Sequence, residues 1–66
     1  MVFNLHYGNG QPVSKGRYEN YLPAGYWEHY YENGNIFSKG YYVDGAMSGY
    51  WIRYDEDGKE SIVFYF

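Results

Sequence analysis

Slid along itself by 24 residues, the 66-residue sequence re-registers without a gap, and a period of that length marks a stack of like supersecondary units. From the first unit to the second, Tyr7 falls on Tyr31, Asn9-Gly10 on Asn33-Gly34, Ser14-Lys15-Gly16 on Ser38-Lys39-Gly40 and Tyr18 on Tyr42. From the second to the third, Gly25-Tyr26-Trp27 falls on Gly49-Tyr50-Trp51, Tyr30 on Tyr54, Glu32 on Glu56 and Asn33-Gly34 on Asp57-Gly58. The units are 1–24, 25–48 and 49–66. Both end units diverge, as capping units of a stack do: the first lacks the Gly-Tyr-Trp opening, and the third carries Ile62-Val63-Phe64 in place of Ser-Lys-Gly.

Each unit contains an Asn-Gly or Asp-Gly pair, which suits the two positive φ angles of a two-residue type I′ hairpin. Hairpin tips are therefore predicted at 9/10, 33/34 and 57/58. Segments 26–31 and 36–43 are rich in aromatic and β-branched residues and read as antiparallel strands. The next hairpins are expected to follow connections made by Asn20-Tyr21-Leu22-Pro23-Ala24 and by Asp44-Gly45 with Ala46-Met47-Ser48-Gly49. No segment has helical periodicity. The predicted fold is all-β: a single-layer antiparallel meander of about six strands, built from three stacked β-hairpins in one domain.

Alternation places Tyr26, Glu28 and Tyr30 on one face of a strand and Trp27, His29 and Tyr31 on the other. In the third unit the sets are Tyr50, Ile52 and Tyr54 against Trp51, Arg53 and Asp55. The Tyr face stays apolar while the Trp face gains charge, so the Tyr face is the expected core. The small residues Ser14, Gly16, Ser38 and Gly40 leave room for a neighbouring ring to lie over the backbone. A register slip of one residue would exchange the faces.

A net charge of −3 and a pI near 5.1 oppose attraction to phosphate backbones and anionic lipid, so neither nucleic acid nor a membrane is an expected partner. No apolar run reaches the roughly 20 residues of a membrane-spanning helix, and Met1-Val2-Phe3-Asn4 does not open a signal peptide. The chain is expected to be cytoplasmic and unprocessed. With no cysteine, stability must come from packing, hydrogen bonding or self-association.

The pattern Gly25-Tyr26-Trp27-x-x-Tyr30-Tyr31-x-Asn33-Gly34, then Gly40-Tyr41-Tyr42-x-Asp44-Gly45-x-x-x-Gly49-Tyr50-Trp51, resembles the MORN-type repeat. It is most similar to the variant in YwqK-family antitoxin-like proteins, and the likeness covers about two-thirds of the chain. The resemblance implies stacked β-hairpins acting as a binding or scaffolding module. Lipid association is implied for some MORN proteins and toxin neutralisation for the YwqK group. The sparse basic residues here depart from a lipid-head-group binder.

Catalytic chemistry is not expected. There is no Cys or Thr, and Ser14, Ser38, Ser48 and Ser61 lie in no nucleophile elbow or triad. His6 and His29 are not repeat-equivalent, so no shared metal role follows and no cofactor is expected. Asp55-x-Asp57-Gly58 lacks the closing bidentate Glu of a calcium loop, and Gly8-Asn9-Gly10 has no following helix to hold an anion.

Eleven Tyr, four Phe and two Trp are more rings than so small a sheet can enclose, and exposed aromatic patches mark interfaces. The candidate partner-binding residues are Trp27, His29, Tyr31, Lys39, Tyr41, Trp51 and Arg53, with Glu28 at the rim. The competing reading of Trp27 and Trp51 is that their rings supply the core. The uncharged run Ile62-Val63-Phe64-Tyr65-Phe66 forms an edge open to another chain, and segment 2–7 is the other candidate edge. The expected function is a non-catalytic, antitoxin-like or inhibitor protein that neutralises a toxin- or effector-like partner protein through an aromatic face. The alternatives are a binder of a nucleotide-like or lipid-head-group molecule, and a homo-oligomeric structural protein joined through its edge strands.

Overall fold

A computed structural model describes residues 5–66. Its strands are β1 (Ser14–Glu19), β2 (Leu22–Tyr30), β3 (Ile36–Val43), β4 (Ala46–Tyr54) and β5 (Glu60–Tyr65). They form one open antiparallel sheet in sequence order. The described residues contain no helix. The slab measures 33 × 29 × 10 Å, and all five strands lie in one sheet. A single all-β layer is therefore as expected, with five strands rather than six. The sixth was to come from segment 2–7, of which residues 2–4 lie outside the described residues. From Leu5 onward it makes only an isolated bridge, His6 to Pro12, closed by Val13 N–H donating to Leu5 O at 2.8 Å.

The turns differ from the expectation in kind. At the Asn-Gly and Asp-Gly corners only the glycines, Gly10, Gly34 and Gly58, have positive φ. Gly10 N–H donates to Tyr7 O (2.9 Å) and Tyr7 N–H to Gln11 O (2.7 Å). Tyr31, Gly34 and Asn35 repeat this arrangement, as do Asp55, Gly58 and Lys59. These are three-residue loops in which a left-handed glycine closes a type I turn. Asn9 and Asn33 stabilise them by accepting from the amides of Gln11 (3.0 Å) and Asn35 (2.9 Å). The two-residue turns with positive φ at both positions are instead Asn20-Tyr21 (φ 52 and 67) and Asp44-Gly45 (φ 51 and 83). Leu22–Tyr30 and Ala46–Tyr54 consequently begin earlier than predicted, and 22–24 and 46–48 are strand rather than connection.

Each Gly-Tyr-Trp opening is a bulge. Between Lys15/Arg17 and between Lys39/Tyr41 the partner strand carries extra residues, with Gly25 (φ 74) and Gly49 (φ 68) inside them. The bulge tips the following Trp flat onto the neighbouring strand. A Cβ on Gly16 would lie 2.1 Å from the Trp27 ring, and one on Gly40 would lie 2.3 Å from Trp51. Trp27 and Trp51 are 3% and 1% exposed and, with Ala24, form the buried core. The expectation that the Tyr face forms the core is thus corrected, since Tyr26, Tyr41 and Tyr50 on that face are exposed. Only the Trp side has a glycine beneath each indole, so only there can a large ring be covered in a single layer.

Candidate protein-binding face

The Trp face is a row of rings. The imidazole of His29 lies near-parallel between Trp27 (centroids 6.0 Å, 23°) and Trp51 (5.9 Å, 23°). Tyr42 meets both indoles edge-on, and its hydroxyl is 3.3 Å from His29 Nε2. Burial pulls the His29 pKa down, because the charged form loses hydration there. The same burial pushes the Tyr42 hydroxyl up. Each indole N–H also has a partner: Trp27 Nε1 donates to Arg17 O (3.2 Å) and Trp51 Nε1 to Tyr41 O (3.0 Å). Buried Trp requires such an acceptor, so both indoles are locked in place.

Arg53, the repeat equivalent of His29, ends the row. Its guanidinium lies 4.9 Å from the Phe37 ring centroid and 5.8 Å from that of Phe64. Among the described residues the one ion pair is Arg17–Glu19 at 3.4 Å, leaving the Arg53 guanidinium stacked on rings without a carboxylate. Beside it is an open, mainly apolar hollow of about 270 Å³, lined by His29, Phe37, Ser38, Met47, Trp51, Arg53 and Phe64.

The opposite face is organised around one carboxylate. Glu28 accepts from Tyr30 (2.5 Å) and Tyr26 (2.9 Å). The Tyr30 hydrogen bond, reinforced by Tyr26, Lys39 and Lys15, lowers its pKa against an opposing contribution from burial. Both tyrosines are pushed up to about 12, first by burial and then by hydrogen bonding to that carboxylate. Lys15 lies 5.9 Å from the Tyr30 ring centroid and Lys39 5.5 Å from that of Tyr54. Tyr41 packs against Tyr26 at 5.4 Å.

The eight residues singled out from sequence therefore divide. Trp27, His29, Trp51 and Arg53 come together on one face, with the two Trp as its buried floor rather than a contact surface. Glu28, Lys39 and Tyr41 gather on the other face. Tyr31 lies at the loop end, its hydroxyl donating to Tyr54 O (2.8 Å) and its ring meeting edge-on Phe37, which lines the Trp-side hollow. Sequence reasoning missed Phe37, Met47 and Phe64. A signal for Phe64 existed, since it occupies the repeat position of Gly16 and Gly40 and fills the place where a further indole would lie.

No group of three His, Asp or Glu among the described residues is placed to hold a metal ion, and no helix there is long and apolar enough to cross a membrane. Compared with protein families, curated proteins and solved structures, the chain gives no match.

Proposed function

We propose that this chain is a non-catalytic MORN-type hairpin-repeat module, an inhibitor or antitoxin-like protein that neutralises a partner protein by covering its surface with the Trp side of the sheet. The observation that carries this reading is the unpaired Arg53 guanidinium, held over Phe37 and Phe64 beside an apolar hollow. A guanidinium supported by rings keeps its hydrogen-bonding edge free for bidentate contact with a carboxylate. The fitting partner surface is an acidic side chain flanked by an apolar one. The hollow is open rather than enclosing, which suits contact with a protein surface.

The test is capture of the partner on immobilised protein from lysate of the native host. The unaltered chain should retain a protein that Arg53→Glu loses and that Lys39→Glu, on the opposite face, still holds. Retention indifferent to Arg53→Glu, or no retained protein, would overturn the reading.

A further inference from the structure

We propose that β5 is the two-fold interface of a homodimer, in which a second copy adds its own β5 antiparallel and joins the two sheets edge to edge. This inference does not require a partner on the Trp face, although Phe64 serves both surfaces.

β5 lies at the edge of the sheet with β4 as its sole neighbour. Phe66 and Gly49 exchange both backbone hydrogen bonds, at 2.9 and 3.2 Å, and the register continues through Tyr50–Tyr65, Trp51–Phe64, Ile52–Val63 and Arg53–Ile62. Hydrogen bonding alternates along an antiparallel pair, so Ile62, Phe64 and Phe66 direct their backbone groups to β4. Val63 and Tyr65 direct theirs to the open edge. Every residue of Glu60–Tyr65 is exposed, and positions 61–66 carry no charge, no proline and no lysine, the usual devices that guard an edge.

The occupant follows from the symmetry of this edge. A two-fold axis at Phe64 sets Val63 opposite Tyr65 of the second copy, and Tyr65 opposite its Val63. All four outward backbone donors then meet acceptors. The same register pairs Phe64 with Phe64 and Ile62 with Phe66 on the Trp side, so each cross-strand contact is apolar. No like charges meet, although each copy carries −3 overall.

The other edge is guarded by charge. β1 presents exposed Lys15, Arg17 and Glu19, whereas the one irregularity of β5 lies at Ser61, outside the 62–66 pairing. Self-pairing about Arg17 would set two guanidinium groups against each other. A pairing of five residues buries less than the roughly 1,000 Å² of a stable interface, so the dimer is reversible and concentration-dependent.

Sedimentation equilibrium between about 1 μM and 1 mM, a range of about a thousandfold in Kd, tests this. The unaltered protein should shift from monomer to dimer. Val63→Pro and Tyr65→Pro each remove an outward N–H that β4 does not use. Each should raise the dissociation constant at least about tenfold with the β-sheet circular dichroism retained. Three results would overturn the proposal: a monomer throughout, a dimer indifferent to Val63→Pro, or open-ended assembly, which signals head-to-tail β1–β5 pairing. Should Val63→Pro fail to fold, hydrogen exchange in the unaltered protein decides. Protection of the Val63 and Tyr65 amides that rises with concentration supports the dimer, and concentration-independent exchange overturns it.

Discussion

Trp51 lies so flat on Gly40 that a Cβ added there would sit 2.3 Å from Cδ2 of the indole. Strand glycine ordinarily weakens a sheet, so Gly40→Ala would help if there were room. Here the indole is buried, and its N–H is held on Tyr41 O at 3.0 Å, so it cannot retreat without losing that bond. Gly40→Ala should destabilise the protein by about 1–3 kcal/mol, the usual range for overpacking. Gly16→Ala should do the same beneath Trp27. Urea unfolding followed by Trp fluorescence reads both, and an unchanged midpoint would refute the packing account.

Trp51 and Arg53 stand two residues apart on one face, yet their replacement should have opposite consequences. Trp51→Ala removes the most deeply buried side chain and should cost about 3–5 kcal/mol, much of the stability of a small domain. Arg53→Ala should leave the folded β spectrum intact, because its guanidinium rests on ring faces with no ion pair to lose. Circular dichroism and thermal unfolding of the two variants separate floor from surface.

Successive loops are tied by a hydrogen-bond ladder that repeats with the sequence. Tyr7 donates to Tyr30 O (2.7 Å) and Tyr31 to Tyr54 O (2.8 Å), while Asn9 reaches Glu32 O (2.9 Å) and Asn33 reaches Glu56 O (3.0 Å). Tyr7→Phe and Tyr31→Phe should each lower stability by about 0.5–1.5 kcal/mol, measurable as a shift in urea midpoint. Asp55 holds the third position and caps its own loop, accepting from the Asp57 and Lys59 amides. Asp55→Asn, which keeps an acceptor oxygen, should change stability by less than Asp55→Ala.

The two faces should separate on the acid side of the pH profile, while tyrosines of both contribute on the alkaline side. Burial holds the His29 pKa below its ordinary 6.5, so the unfolded chain binds the extra proton first. Stability is then full above about pH 6.5 and declines as the pH falls through the depressed folded value. His29→Phe should flatten that decline in a series of urea midpoints. On the opposite face, Tyr26 and Tyr30 stand near 12 against an ordinary 10.0. Their contribution is complete below about pH 10 and is lost as the pH rises toward 12. Glu28, held below its ordinary 4.5, contributes above that value and loses its contribution as the pH falls through the folded one. Glu28→Gln should weaken both the alkaline and the acid limb while leaving the His29 window in place.

What the residues alone determined is the repeat and its strand character. The 24-residue recurrence, the strand Ile36–Val43, the three loop positions and the all-β layer were legible because β-branched and aromatic clustering and Asn-Gly or Asp-Gly pairs are local signals. The turn chemistry was not. Asn-Gly serves a two-residue and a three-residue hairpin equally well, and the choice is made by how the flanking strands pair. The two-residue turns went to Asn20-Tyr21 and Asp44-Gly45, where the chain reverses with no residue to spare. Which face is core was likewise decided only in the assembled sheet. Period-two alternation is blind to the bulges at Gly25 and Gly49, and burial depends on what lies beneath a ring on the neighbouring strand, here a glycine with no side chain to hold the indole away.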